Sequence, residues 1–468
     1  MQRIATSLPP ANWSVEVRCM SDSPSFDKTG QISMKAILTF ARGWNCLAAA
    51  RSLGRKGIEV IAGDEYPFSP TSFSKYTTAT FRYPNPDHDP AGFLDTLERV
   101  IREHKVEGEE YALIPFHKET YLIARNRARF EPLIKMAIPT IEQIDQVDDK
   151  GTLALLCQKR GLPTPETAVV NSREEFLERS KSFPYPAFVK VRRSAAAVGV
   201  KKVDDPAGAM AAFDHFVQHY GLGADECPLL QQGVPGDDYC TTFLFDHGRL
   251  CATMTYHNLR TYPVKSGTGV LRETVAAPAM ERTGEALLSS LGWHGVAEVD
   301  FRWDGKQPEP LLIEVNPRFW GGLPQSVATG WDYPYLLFRL AVDGTVAPVD
   351  PHSSSVKTET PVMALLATLT EIASDDRQMD AMRKSFDQFR SSYTPGNRRH
   401  ALGAFFENLK ESADMKGRWE HARALLRDHT HTVSDVFSWD DPLPSLGVLY
   451  PLAVFLKNGK VNTELLVS

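Results

Sequence analysis

Residues 295–322 read GVAEVDFRWDGKQPEPLLIEVNPRFWGG. Two apolar-rich runs, Val296–Arg302 and Leu311–Val315, flank the turn signal Trp303-Asp304-Gly305-Lys306, which is the pattern of a β-hairpin. Alternation puts Glu298 and Asp300 on one face of the first strand, and Glu314 and Asn316 on one face of the second. Carboxylates and an amide oxygen meeting across a hairpin make a hard-oxygen site of the kind Mg2+ prefers. Any one of these acids, read alone, is a solvent-facing residue on an edge hairpin. The set is followed at once by Pro317, Arg318 and Gly321-Gly322, and a cation beside bound metal suits phosphate chemistry.

Upstream of the hairpin, Asp148-Asp149-Lys150 opens a helix to about Arg160, which Gly161-Leu162-Pro163-Thr164-Pro165 ends. Asp in the first turn suits the helix dipole; Lys150 does not, so its ammonium points to solvent or serves an anion. Lys190 lies in the strand Ala187–Val191 and faces away from Val189 and Val191. Arg192, Arg193, Ser194 and Ala195–Ala197 follow as a cationic loop able to cover phosphate, though poor in glycine. The next strand is Pro228–Gln232. Gly233–Asp238 then leads into a long strand ending at Phe245, which turns at Asp246-His247-Gly248-Arg249 and returns through His257. Asn258–Leu271, with Arg260, Lys265, Gly267 and Gly269, is expected to be a mobile anion-binding loop.

Nearer the N-terminus, Lys35–Phe40, Cys46–Lys56 and Ile58–Ala62 read as strand, helix and strand, a βαβ unit. Its first loop has Gly43 almost alone, so the dinucleotide fingerprint is absent. A helix over Ala91–His104 and a strand over Tyr111–Pro115 follow. His117 and Glu119 sit at that strand's carboxyl end, where open sheets place ligands; helix capping explains them equally well. Beyond Asp350, Asp375–Arg390 and Ala401–Arg427 read as amphipathic helices, and Leu443–Leu456 as a packed strand or buried arm.

At 468 residues the chain is too long for one core and implies two or three domains. A formal charge of -6 argues against a dedicated nucleic-acid binder. Six scattered cysteines without CxxC read as the reduced thiols of a cytoplasmic protein, not a disulfide frame or a cysteine zinc site. No apolar run reaches the roughly 18 residues of a membrane span.

Taken together, residues 35–345 resemble the ATP-grasp superfamily, especially its carboxylate–amine ligases. The resemblance rests on DDK with GLPTP, PAFVKV, LLQQGVPGDDY and EVDF with LLIEVNPRFWGG, in the family's order. It implies an α/β and α+β multidomain chain: a flexible tail at 1–34, a Rossmann-like domain at 35–140, and an ATP-grasp domain at 141–350 with a lid at about 186–245. A mainly helical extension covers 351–468. It also implies ATP and Mg2+, with Mn2+ as an alternative ion. Lys150 and Lys190 resemble the two phosphate-contacting lysines. Gln231, Gln232, Gly233 and Val234 resemble the adenine-edge segment, although a Glu is usual there, and Asp238 the ribose acid. Asp300, Glu314 and Asn316 resemble the metal ligands, and Arg318 the cation on the transferring phosphate.

Some ligases of this superfamily carry an Arg where Glu298 stands, and Arg272 is the candidate for that missing charge. The implied reaction turns a small carboxylic acid into an acyl phosphate that an amine attacks. Phosphoryl transfer to a non-carboxylate acceptor and a non-catalytic nucleotide-binding module are the competing readings. Tyr256, His257, Arg260, Arg272, Trp320 and Gln325 are candidates to line the acceptor pocket. The extension is left three roles: shaping that pocket, binding a partner, or forming a homodimer.

Overall fold

The computed structural model describes residues 33–106, 108–193, 199–223, 226–264, 267–349, 355–373 and 423–448. The expected tail up to residue 32, the loop 194–198, the helices expected within 375–422, and 449–456 lie outside the described residues.

The N-terminal unit is a parallel sheet of β1 (Met34–Leu38), β2 (Glu59–Asp64), β3 (Thr77–Arg82) and β4 (Glu110–Ile114), ordered β3-β2-β1-β4. Helices α1 (Trp44–Arg55) and α2 (Pro90–His104) connect its strands. In α2 the Asp89 carboxylate caps the helix at Gly92, and Phe93, Leu94, Leu97, Val100 and Ile101 form its buried stripe. The sequence gives no warning of β3. It is an edge strand with only Phe81 fully buried, so its apolar signal is weak. Short helices α3 (Glu119–Arg125), α4 (Arg127–Phe130) and α5 (Ile141–Val147) lead to α6 (Lys150–Arg160), which closes on left-handed Gly161.

A small antiparallel sheet follows, built from β5 (Thr167–Ala168), β6 (Ala187–Lys190), β7 (Val200–Val203) and β8 (Leu229–Gln232) in the order β5-β8-β6-β7. Helices α7 (Arg173–Lys181) and α8 (Pro206–Tyr220) cover one face of it, where Phe176 meets Phe213 at 4.5 Å between ring centroids. This small sheet with its two helices is the proposed lid.

The strand that continues to residue 246 belongs to a second, seven-stranded sheet. Its members are β9 (Asp237–Asp246), β10 (Arg249–Tyr262), β11 (Thr268–Val275), β12 (Gly295–Trp303), β13 (Leu311–Asn316), β14 (Lys357–Glu359) and β15 (Thr432–Ser434), ordered β13-β12-β9-β10-β11-β14-β15. Helices α9 (Pro278–Ser289), α10 (Leu323–Ala328), α11 (Tyr333–Asp343) and α12 (Pro361–Ala373) complete the described chain.

Two expectations change here. Asn258–Leu271 is not an open loop: β10 runs to Tyr262 and β11 starts at Thr268, and the two strands pair. The extension also contributes strands, because β14 and β15 widen the large sheet beyond β11. Its described part is therefore sheet edge as well as helix, and Leu443–Val448 is a short 3-10 turn rather than a strand.

Buried polar contacts tie this extension down. Asp435 accepts from Arg272 Nη1 at 2.7 Å and from Thr360 Oγ1 at 2.7 Å, and the Arg272–Asp435 side chains are 3% and 1% exposed. Asp441 accepts from Arg51 Nε at 2.9 Å and Ser74 Oγ at 2.7 Å in the N-terminal unit. Removing one partner of a buried ion pair strands the other charge and costs about 3–5 kcal/mol. Asp435→Asn is therefore expected to lower the urea unfolding midpoint by a stability loss of about 3 kcal/mol. The double variant Arg272→Met/Asp435→Leu should regain most of it. An unchanged midpoint in Asp435→Asn would mean the pair does not hold the extension.

Candidate active site

The β12–β13 register decides the site. Glu298 pairs with Asn316 and Asp300 with Glu314, so all four side chains lie on one face, as alternation requires. A 330 Å³ cleft opens between this face and the lid. Its lining includes Asp238, Asp300, Glu314 and Asn316 of the large sheet, Arg318 just after it, Lys150 at the start of α6, and Lys190, Gln231, Gln232 and Val234 of the small sheet and the segment after it. Gly233 contributes no lining; its N–H donates to Pro186 O at 3.0 Å inside the lid.

Lys150 reaches the cleft because Asp149 takes the capping position. The Asp149 carboxylate accepts from Thr152 N, and the next residue turns inward as the helix starts. Lys150 Nζ lies 3.5 Å from Glu314 Oε2, so its ammonium serves an anion rather than solvent. Asp149 also accepts from Arg192 Nε at 3.0 Å, pinning the end of β6 to the start of α6.

Lys190 Nζ donates to Gln231 Oε1 at 2.6 Å, and Gln231 Nε2 donates to Thr167 Oγ1 at 3.0 Å. The partner of Lys190 is thus a neutral amide, not a carboxylate. Burial pulls the Lys190 ammonium down to about 8, and nearby Glu314 offsets only part of that. Gln232 is exposed at the edge of the cleft, and its backbone N–H donates to Glu166 O. Asp238 sits 3.4 Å from Arg302 Nη1 at the cleft rim.

Three carboxylates crowd the opposite wall. Burial, then the charges of Glu298 and Glu314, push the Asp300 carboxyl well above its usual range. Asp300 Oδ1 is buried without a hydrogen bond. Burial also opposes ionisation of Glu314, yet Lys150, Lys190 and Arg318 hold it below the ordinary value. Crowded carboxylates with an orphaned oxygen on Asp300 fit a hard divalent cation such as Mg2+. Asn316 turns Nδ2 towards Glu298 and Asp300 and its Oδ1 towards Arg318, so its oxygen must rotate to join a metal shell.

The acceptor side is less as the sequence suggests. Arg272 lines the cleft, but Asp435 and the Gly269 carbonyl take its guanidinium, so it is a structural pin and not the missing free cation. Arg260 is likewise taken, by Glu371 at 2.7 Å and Asp428 at 2.9 Å. Trp320 is wholly buried in the core, and Gln325 Nε2 bonds Thr274 Oγ1 and Val356 O. His257 stacks on Tyr239 with centroids 4.5 Å apart.

The structure adds a pair the sequence does not single out: Tyr256 donates to Glu298 Oε1 at 2.5 Å. A Cβ at Gly322 would collide with that tyrosine hydroxyl, which explains one glycine of the Gly-Gly pair. On the N-terminal side, His117 stacks on Phe40 at 4.4 Å, and burial, followed by Arg318, holds its imidazole well below the usual range. Phe116 stacks on Phe319 at 4.8 Å, so the ends of β1 and β4 abut the loop that carries Arg318.

Residues 229–362 match the family described as "ATP-grasp in the biosynthetic pathway with Ter operon". The chain is 26% identical over 309 residues to the formate-dependent phosphoribosylglycinamide formyltransferase of Cupriavidus taiwanensis, covering 64% of this chain and 73% of that protein. Its fold matches biotin carboxylase from Campylobacter jejuni, with a TM-score of 0.57 and 15% identity over 71% of this chain and 78% of that one. L-amino acid ligase from Bacillus licheniformis matches at 0.52 and 16%, over 70% and 80%. The chain has the fold of the ATP-grasp proteins and is similar to ATP-dependent enzymes of that superfamily.

In this cleft the protein keeps like charges together, which costs stability in the absence of a neutralising cation. Asp300→Asn removes that repulsion and is expected to raise the melting temperature of the metal-free protein at pH 8. It should also abolish the further rise that Mg2+ with ADP produces in the wild type. A metal-free melting temperature below the wild type's would contradict the repulsion.

Proposed function

We propose that the protein is an ADP-forming ligase that phosphorylates a small carboxylic acid with ATP and joins the product to an amine. The observation that carries this reading is the meeting of Lys150, Lys190 and Arg318 with Asp300 and Glu314 in one cleft between the small and the large sheet. Lys150, from the start of α6, and Lys190, from the small sheet, would hold phosphate oxygens. Asp300, Glu314 and, after rotation, Asn316 would hold Mg2+, which supplies neutralisation of phosphate charge. Arg318 stands beside Asn316 and faces the acceptor region, where it would steady the phosphoryl group during transfer.

The acid's oxygen attacks the γ-phosphorus and ADP leaves. The amine nitrogen then attacks the acyl carbon, phosphate leaves, and an amide remains. Glu298 is assigned to hold the amine. Its carboxylate is fixed by Tyr256 and Asn316, faces the same cleft, and attracts an N–H donor where a guanidinium would repel an ammonium.

Loss of one such electrostatic contact raises the barrier by about 3 kcal/mol. Glu314→Gln and Lys190→Ala are expected to slow ADP release, driven by acid plus amine, a hundredfold or more while the fold persists by circular dichroism. Hydroxylamine should trap a hydroxamate if the acid is activated as an acyl phosphate; ADP release without hydroxamate favours a non-carboxylate acceptor. Glu298→Gln should lower amine-dependent turnover tenfold or more and leave trapping by hydroxylamine, already unprotonated at neutral pH, nearly intact.

The pH dependence has a definite sign. Lys190 in the free enzyme is charged below about 8. The kcat/KM for ATP is therefore expected to fall as pH rises through that value, and Lys190→Arg should flatten the fall.

A further inference from the structure

The large sheet carries a second cluster of metal-ligating side chains at the end away from the cleft. The β9–β10 turn holds Asp246 and His247, and His294 lies just before β12, where Gly295 pairs with Phe245. Asp300 pairs with Cys240, six residues back along β9 from Asp246, so the two places are separated by about 20 Å at roughly 3.3 Å per residue.

At the turn, Asp246 Oδ1 lies 2.9 Å from His247 Nδ1 and 3.9 Å from His294 Nδ1. One donor atom from each of the three residues lies within 4.8 Å of the other two. The imidazole centroids are 3.9 Å apart with 30° between the planes. His294 Nδ1 is buried and makes no hydrogen bond, a cost that needs a partner. Asp246 Oδ2 is already oriented by Arg249 Nη2 at 2.6 Å and Thr345 Oγ1 at 2.7 Å, which leaves Oδ1 facing the imidazoles. Carboxylate orientation by such outer partners is typical of metal ligands. His247 adopts a left-handed backbone, φ 47, a region that Gly, Asn, Asp and His enter more readily than other residues, and this turn places its ring over that of His294.

We propose that Asp246, His247 and His294 bind a first-row divalent transition-metal ion such as Zn2+. Two nitrogens and one carboxylate oxygen favour such an ion over Mg2+, which takes oxygen ligands. Metal–ligand bonds of about 2.0–2.1 Å in a tetrahedron set ligands about 3.3 Å apart. The observed 2.9 and 3.9 Å bracket that spacing. The His247 side chain is 74% exposed, so a fourth position stays open to water. The ion ties the β9–β10 turn to the α9–β12 connection. That connection also receives α5 of the N-terminal half, because Gln143 Nε2 donates to the carbonyls of Leu291 and Gly292. The site is thus a structural clasp, separate from nucleotide binding.

The test uses full-length protein stripped with EDTA and then saturated with Mg2+ and ADP so that the cleft is filled. Co2+ is titrated and followed by its visible absorption, and Zn2+ is titrated by calorimetry and by thermal melting. The expected result is one site that binds both ions and raises the melting temperature. In His294→Ala and in His247→Gly, the latter suited to the turn's backbone, affinity should fall tenfold or more with Mg2+–ADP binding unchanged. No wild-type binding at about 100 μM metal, or equal binding in His247→Gly and wild type, overturns the proposal. Because His247 is exposed, that variant decides the matter even if His294→Ala fails to fold.

Discussion

Like charges held together on β12 and β13 are the constraint around which the active site is arranged. Glu298, Asp300 and Glu314 share one sheet face because the strand period is two and the register sets 300 against 314. Such a face is unstable alone, and the surrounding elements supply opposite charge from three directions. Lys150 comes from the start of α6, Lys190 from the lid, and Arg318 from the loop after β13. The balance is incomplete, since Asp300 keeps an orphaned oxygen and Lys190, among the described residues, hydrogen-bonds a neutral amide. Both deficits are of the kind that metal and phosphate remove, and this incompleteness underlies the proposed chemistry.

The extension changes the meaning of several cations. Arg272 and Arg260 look available in the sequence because nothing near them in the chain is acidic in the right place. In space, Asp435, Asp428 and Glu371 neutralise them across long sequence separations. The same contacts make the described extension part of the large sheet rather than an appendage. Asp440 and Asp441 carry the attachment onward to Arg55, Arg51, Ser74 and Tyr76 of the N-terminal unit. Three portions of the chain are thereby fastened around the acceptor side of the cleft, while the lid keeps a core of its own built on Phe176 and Phe213.

The junction between the N-terminal sheet and the loop after β13 shows a further economy. Phe40 has a left-handed backbone, φ 59, and its N–H bonds the Tyr83 hydroxyl, which also donates to Glu119. Burial raises Glu119 to about 7, and His117 is kept neutral beside Arg318. Titratable groups held away from their ordinary ranges are thus packed at the carboxyl end of the parallel sheet, beside the loop that carries Arg318.

The local features of the chain were legible from residue order. Helices such as α6 and α8 begin at capping aspartates and end at left-handed glycines, and strand alternation puts the acids on one face. The hairpin and its acidic face follow from signals of this short-range kind, whereas the meeting of Lys150, Lys190 and Glu314 is implied only by the resemblance to a known superfamily. Tertiary structure alone decided which charges remain uncommitted. The pairing of Arg272 with Asp435, the Tyr256–Glu298 bond, the lid boundary at β9 and the cluster of Asp246, His247 and His294 all join residues distant in the chain. No periodicity encodes such contacts, because an ion pair or a donor set depends on where whole elements pack and not on the spacing of residues within one of them.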